Sequence, residues 1–195
     1  MNRQLFFQEI NRSLFHGKLN NRQREGIFHK LASFDKFDVT DDRWRAYMLA
    51  TSYHETARTM MPIEEWGKGR GKSYGRKVKL SGQIYTWPDQ IYYGRGDVQL
   101  TWYENYQWMG ILMGLPLLEK PELTLDPEIS AQILVEGMIL GKSNRGDFTG
   151  LSLENYFNTH RDDPFGARRI VNGLDRAGTI AGYHYKFLEA IRKAS

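Results

Sequence analysis

Apolar side chains recur at helical spacing through the first third of the chain. They lie three or four positions apart between residues 5 and 15 and again between residues 27 and 34, which is the pattern of a helix with one buried face. A third such segment begins at Thr40 or Asp41, where a side-chain oxygen can cap a helix, and continues to Glu55. The pattern therefore predicts three successive helices.

The pattern changes between residues 62 and 100. Glycines and basic residues alternate there with short β-prone pieces, which predicts loops and a small sheet. Helical signals then return. Thr101 with Glu104 forms the signature of a capping box. Asp126 and Asp163 each precede a proline, a combination that starts helices. The predicted helices occupy residues 101–113, 126–140, 163–173 and 176–193.

Length and composition limit how these elements are organised. A chain of 195 residues can bury one sizeable core and is short for two ordinary domains. We therefore expect one domain over residues 1–195, mainly α-helical, with a glycine-rich β/loop insertion at about residues 62–100. The lack of cysteine excludes a disulfide scaffold, a thiolate zinc site and a cysteine nucleophile. The net charge of +4 favours an anionic partner.

A pair of separated carboxylates is the first candidate for chemistry. Glu55 closes the third predicted helix, and Glu64 and Glu65 follow in the glycine-rich segment. Hydrolysis of a glycosidic bond needs one carboxyl group that donates a proton and a second that stays ionised. Glu55 is the candidate donor, and Glu64 or Glu65 the ionised partner. The same spacing fits a glutamate that ends a helix and two that lie on a solvated surface.

A second candidate segment runs from Tyr92 to Thr101. Two glycines bracket Arg95, and in an extended stretch Gln99 and Thr101 would point to the same face. An amide and a hydroxyl beside tyrosines suit sugar binding. An ordinary β-turn with buried tyrosines fits the same pattern.

Spacing argues against two other kinds of site. The run from Gly67 to Ser73 has three residues where a phosphate-binding loop requires four. A zinc hydrolase would need a histidine where Arg58 stands. The last predicted helix, with its basic and apolar residues, fits either a core helix or a helix that lies on an anionic membrane.

Four motifs follow one another along the chain. They are Tyr53-His54-Glu55-Thr56-Ala57, Met60-x-Pro62-Ile63-x-Glu65, Tyr92-Tyr93-Gly94-Arg95-Gly96-x-Val98-Gln99-Leu100-Thr101 and Ile170-Val171-Asn172-Gly173. In this order, over roughly residues 44–173, they closely resemble glycoside hydrolase family 19, which includes plant chitinases and bacteriophage endolysins.

The resemblance implies a lysozyme-like, two-lobed α+β fold around a cleft and an inverting hydrolysis that needs no metal or cofactor. Glu55 matches the family's general acid, and Thr101 matches a hydroxyl that helps to hold the attacking water. The residues expected to bind the sugar are His54, Tyr93, Gln99, Asn105 and Asn172.

The second carboxylate departs from the chitinase pattern. Chitinases carry it farther along the chain, but here no carboxylate occurs between Glu65 and Asp89. The shorter phage-type motif Pro-Ile-x-Glu assigns the catalytic base to Glu65, with Glu64 as its competitor.

The expected substrate is the β-1,4 glycan backbone of bacterial peptidoglycan. Six basic residues between Lys68 and Lys79 would attract an anionic wall polymer. A chitinase and a non-catalytic wall-binding protein are the alternatives. We expect a monomer whose further partners are anionic envelope polymers or a membrane surface, and which binds no nucleic acid. With no signal peptide evident, it would be made in a bacterial cytoplasm and act on the wall after release.

Overall fold

Six α-helices and one short sheet build the protein, seen in a computed structural model of all 195 residues. The helices are α1 (Arg3–Ser13), α2 (Asn21–Lys36), α3 (Asp42–Glu55), α4 (Tyr103–Met113), α5 (Pro127–Met138) and α6 (Ala177–Ala194). The antiparallel strands are β1 (Ile63–Glu64) and β2 (Arg95–Gly96). Short 3-10 turns occupy Ser73–Gly75, Pro121–Leu125, Leu153–Asn155 and Gly166–Ile170. The mainly helical class predicted from the sequence is confirmed.

Four helices begin with a side-chain cap, and two of these caps, at Asp41 and Asp126, are the ones predicted from the sequence. The side chains of Asn2, Asn20 and Asp41 accept backbone N–H groups at the starts of α1, α2 and α3. Asp126 does the same for α5, which ends at Met138, two residues before the predicted end. Each cap satisfies amides that have no partner within the helix.

The capping box predicted for α4 is wrong. The helix begins at Tyr103 without any side-chain cap. Glu104 Oε1 instead accepts the backbone N–H of Leu80, in the insertion, at 2.9 Å. The Glu104 carboxylate therefore makes a tertiary contact instead of the predicted capping contact. Thr101 does not cap the helix either.

The helix predicted after Asp163 is only a 3-10 turn. Asp163 does accept the N–H of Gly166 at 2.7 Å, as a cap would. The turn then ends at Ile170, and the chain continues irregularly to α6. Glycines at 166 and 173 weaken the helical preference of this stretch. The predicted cap at Asp163 is thus confirmed, but the predicted helix over residues 163–173 is wrong.

One hydrophobic core of 38 buried residues includes side chains from all six helices. Residues 46–53 of α3 are all buried, which is typical of a central helix. α3 packs against α6, and α6 also packs against α1. Phe187, Leu188 and Ile191 of α6 are buried, so α6 is a core helix. No helix is both long and apolar enough to cross a membrane.

His184 of α6 is buried among aromatic rings. It stacks on Phe157 and lies beside Tyr47, and neither of its ring nitrogens has a hydrogen-bond partner. Burial lowers the pKa of His184 to about 4, because a charged imidazolium without partners is costly in apolar surroundings.

We expect the protein to lose stability as the pH falls from about 6.5 to about 4. Within this window the unfolded chain binds a proton at His184, whose ordinary pKa is 6.5, and the folded protein does not. Acid therefore favours unfolding, by about 3 kcal/mol over the whole window. The variant His184→Phe lacks this titration. Its free energy of unfolding, measured with urea, should therefore fall by about 3 kcal/mol less than that of the wild type over the same pH window. Equal pH dependence in both proteins would contradict the assignment.

Candidate active site

The two-stranded sheet places Glu65 beside Gly94. Glu65, the residue after β1, donates its backbone N–H to the Gly94 carbonyl at 2.7 Å. Its carboxylate has two donors: the Tyr74 hydroxyl lies 2.9 Å from Oε1, and the Gly94 N–H lies 3.2 Å from Oε2. A Cβ at position 94 would come within 2.8 Å of Gln99 Oε1. A side chain at position 94 would therefore displace the Gln99 amide from its present place.

Tyr74 reaches Glu65 from the basic part of the insertion. Burial, followed by its hydrogen bond to Glu65, raises the pKa of Tyr74 to about 12. The hydroxyl thus stays protonated in neutral solution and donates a hydrogen bond to the carboxylate. Sequence analysis missed Tyr74, since nothing in the local pattern marks a tyrosine in a glycine-rich loop as the partner of Glu65.

Glu55, the last residue of α3, forms an ion pair with Arg168. Arg168 Nη1 donates to Glu55 Oε1 at 2.6 Å, and the two side chains are only 4% and 15% exposed. Arg168 Nε also donates to the Asp175 carbonyl at 3.2 Å. The guanidinium is thus held at a second point, and it fixes the orientation of Glu55 through Oε1. The two partners are 113 positions apart, and sequence analysis missed Arg168.

Glu55 and Glu65 line the same cavity, whose volume is about 390 Å³. This volume lies in the usual range for ligand sites. Five of the nine residues predicted for the site meet here: Glu55, Glu65, Gln99, Thr101 and Asn172. Tyr74, Gly94, Val98 and Val171 complete the lining. The cavity therefore brings two carboxylates together with amide and hydroxyl groups that can bind a sugar.

Gln99 reaches the cavity from a tight turn, and Thr101 lies just after that turn, whereas the sequence predicts an extended stretch. Arg95 and Leu100 exchange two backbone hydrogen bonds, of 3.2 and 2.9 Å, and Gln99 has a left-handed backbone with φ 53°. Gln99 Nε2 donates to the Ile63 carbonyl at 3.1 Å. The turn is held to β1 by this contact.

Glu64 does not line that cavity. Its carboxylate accepts the Tyr93 hydroxyl at 2.7 Å and lies 3.3 Å from Lys68 Nζ and 3.7 Å from Arg95 Nε. The hydrogen bond from Tyr93 and the nearby cations lower the pKa of Glu64. Tyr93 itself is buried. Of the two glutamates that compete for the role of base, Glu65 is the one that lines the cavity.

His54 and Asn105 also lie outside the cavity. His54 is half-buried near the end of α3, and its burial lowers its pKa. Asn105 lines a second, polar cavity of about 480 Å³ together with Trp108 and Arg145. Their roles in sugar binding stay predictions. No three His, Asp or Glu side chains are grouped so as to hold a metal ion.

Among curated proteins, the chain is similar to plant chitinases. An endochitinase of Arabidopsis thaliana is 32% identical over 111 residues, which is 56% of this chain and 37% of that protein. A second Arabidopsis endochitinase is 50% identical over 78 residues, 40% of this chain and 25% of that protein. Chitinase 11 of Oryza sativa is 24% identical over 220 residues, 94% of this chain and 81% of that protein. The chain thus spans 37% and 25% of the two Arabidopsis relatives. No model of a protein family matches it.

Solved structures extend the similarity to the whole fold. Chitinase C of Streptomyces griseus superposes with a TM-score of 0.62 at 20% identity, covering 97% of this chain and 75% of that one. A bacterial family 19 chitinase gives 0.60 at 20% identity, covering 96% and 93%. A family 19 class IV chitinase of Zea mays gives 0.59 at 19% identity, covering 96% and 90%. The resemblance to glycoside hydrolase family 19 is therefore confirmed: the chain is similar in sequence to chitinases and has the fold of the family 19 enzymes.

Proposed function

We propose that this protein is an inverting glycoside hydrolase that cleaves β-1,4-linked polymers of N-acetylglucosamine, as in chitin. The observation that carries the proposal is the shared cavity of Glu55 and Glu65. The two carboxylates have different surroundings: Glu55 contacts a buried arginine, and Glu65 accepts a tyrosine hydroxyl and a backbone amide. Two carboxylates that face one substrate site are what an inverting hydrolysis requires.

In the proposed reaction, Glu55 protonates the bridging oxygen as its bond to the anomeric carbon breaks. Arg168 occupies Oε1 of Glu55, which leaves Oε2 to carry the proton. Glu65 takes a proton from the water that attacks the opposite face of the sugar, and the hydroxyl of Thr101 helps to orient that water. One new reducing end forms, with inverted configuration at the anomeric carbon.

The choice of chitin rests on the relatives. The similar curated proteins are named as chitinases, and so are the structures that share the fold. An uncharged polymer of N-acetylglucosamine would contact the amides of Gln99 and Asn172, which line the cavity beside the carboxylates.

Peptidoglycan is a second candidate substrate, favoured by one observation. Arg70, Lys72 and Arg76 belong to the same insertion as Glu65 and Tyr74, and all three are exposed. Cations in this insertion would attract the carboxylates of the peptide-bearing sugar in the bacterial wall. This candidate includes action on the wall after release from a bacterial cytoplasm.

A comparison of two substrates tests the proposal. We expect the purified protein to cleave a hexamer of N-acetylglucosamine and to give α-anomers first, which proton NMR detects within minutes of mixing. Release of reduced muropeptide ends from purified peptidoglycan, without cleavage of the hexamer, would favour the second candidate. Products that keep the β-configuration would contradict the inverting mechanism, and no cleavage of either polymer would contradict the proposed activity.

A further inference from the structure

One part of the insertion, residues 66–90, has a larger net positive charge than the whole chain. Residues 66–90 contain six basic residues and one acidic residue, a net charge of +5, whereas the whole chain has +4. The remaining 170 residues therefore have a net charge of −1. Net positive charge is thus concentrated in this segment, which favours an anionic partner.

A small hairpin over residues 77–85 forms the outer part of this insertion. Tyr85 donates its backbone N–H to the Lys77 carbonyl at 3.1 Å, and Lys79 donates to the Gln83 carbonyl at 2.9 Å. Val78 and Ile84 form an antiparallel bridge between these bonds. The chain turns at Gly82, where φ is 84°.

The two faces of the hairpin have opposite surroundings. Tyr85 is buried, and its ring packs against Tyr92 and Tyr103. Because successive side chains of an extended chain alternate, Ile84 lies on the opposite, outward face. Ile84 is 73% exposed, and Leu80, two residues beyond its bridge partner Val78, is 58% exposed. The outward face is thus aliphatic and unpartnered.

Free charges and an exposed tryptophan lie next to this face. Trp87, just after the hairpin, is 67% exposed. Arg70, Lys72 and Arg76 are exposed and belong to none of the ion pairs of the protein. The loop that carries Arg70 and Lys72 folds back on itself, since a Cβ at Gly75 would lie 1.9 Å from the Gly69 carbonyl oxygen. These cations therefore stay near the start of the hairpin.

We propose that the outward face of the hairpin, made of Val78, Leu80 and Ile84, docks together with the neighbouring Trp87 on the surface of an anionic lipid bilayer. The positive charge alone would attract a hydrated anionic wall polymer as well as an anionic membrane. Exposed aliphatic side chains gain free energy only where water leaves them, and tryptophan favours the boundary between headgroups and acyl chains. Exposed aliphatic side chains next to lysine and arginine are the combination that binds anionic membrane surfaces. The proposal does not depend on which glycan the cavity cleaves.

Vesicle sedimentation tests the proposal. The full protein is mixed with vesicles of phosphatidylglycerol and phosphatidylcholine, or of phosphatidylcholine alone. One double variant, Leu80→Ser with Ile84→Ser, removes the exposed aliphatic side chains of the hairpin. Its control is Ile111→Ser, which replaces a 66% exposed residue of α4. One triple variant, Arg70→Gln, Lys72→Gln and Arg76→Gln, removes the free charges. Its control replaces the exposed residues Lys18, Arg22 and Lys120 by Gln.

We expect the wild type to sediment with the anionic vesicles and not with the neutral ones. Each test variant should bind about 10-fold or more weakly, and both controls should bind as the wild type does. Thermal melting checks that the variants stay folded. We expect them to do so because the replaced side chains are exposed. Wild-type protein that leaves anionic vesicles unbound would overturn the proposal. So would full binding by the Leu80→Ser, Ile84→Ser variant, which would indicate a surface for polyanions and not for lipid.

Discussion

Replacing Glu55 by Gln should lower the rate of glycan hydrolysis by about 100- to 10,000-fold, the usual contribution of a general acid. Glutamine keeps the shape of the side chain, and its amide oxygen can still accept the hydrogen bond from Arg168, which is now 2.6 Å from Oε1. It has no acidic proton to give to the bridging oxygen. The measurement is kcat on the glycan that the wild type cleaves, with thermal melting as the check on folding.

Two neighbouring glutamates supply the matched comparison. Glu65→Gln should lose activity on the same scale, since Glu65 lines the cavity. Glu64→Gln should stay within a few-fold of the wild type, because its carboxylate is bound by Tyr93 and Lys68 outside that cavity. The reverse order of these two variants would assign the base to Glu64. Undiminished activity of Glu55→Gln would remove the general acid from the mechanism.

Replacing Lys30 by Met should lower the free energy of unfolding by about 3–5 kcal/mol, as for other buried ion pairs that lose one partner. Lys30 Nζ lies 2.8 Å from Asp97 Oδ1, and the two side chains are 1% and 0% exposed. Lys30 also donates to the Met60 carbonyl at 2.9 Å, and Asp97 accepts the Ser52 hydroxyl at 2.8 Å. The variant leaves the Asp97 carboxylate buried without its counter-ion. Urea unfolding followed by tryptophan fluorescence measures the loss.

The double variant Lys30→Met, Asp97→Asn separates charge from packing. It should recover part of the lost stability, because a buried amide costs less than a buried, unpaired carboxylate. Lys193→Met is the exposed control: its ion pair with Glu9 lies at the surface, so its effect should stay below about 1 kcal/mol. If Lys30→Met changed stability no more than Lys193→Met, the buried pair would have no special role.

Local signals predicted most of the helices. Caps at Asp41 and Asp126 act within three residues of their own position, so the sequence alone identifies them. Glu104 could not be read in this way, because its partner Leu80 belongs to a different element. A helix start can be predicted where its cap acts locally. The prediction fails where a distant backbone group binds the same carboxylate.

The site was predictable for a different reason. Glu55, Glu65 and Gln99 belong to motifs that resemble a known family, and the structure brings them to one cavity. Arg168 and Tyr74, which contact the two carboxylates, both lie in short 3-10 turns, and that of Tyr74 belongs to the glycine-rich insertion. Neither position has a local pattern that distinguishes it from a solvated arginine or tyrosine. Such orienting contacts depend on how distant segments pack.

The packing of α3 against α6 has a consequence for synthesis. On the ribosome, α3 emerges long before α6, and until then its central residues lack the partner that covers them. Arg168, too, leaves the ribosome after more than 100 residues have followed Glu55. A nascent chain therefore carries Glu55 on an unsupported helix. The arrangement that we propose for hydrolysis can therefore form only after Arg168 and α6 have been translated, and we expect the nascent chain to be inactive until then.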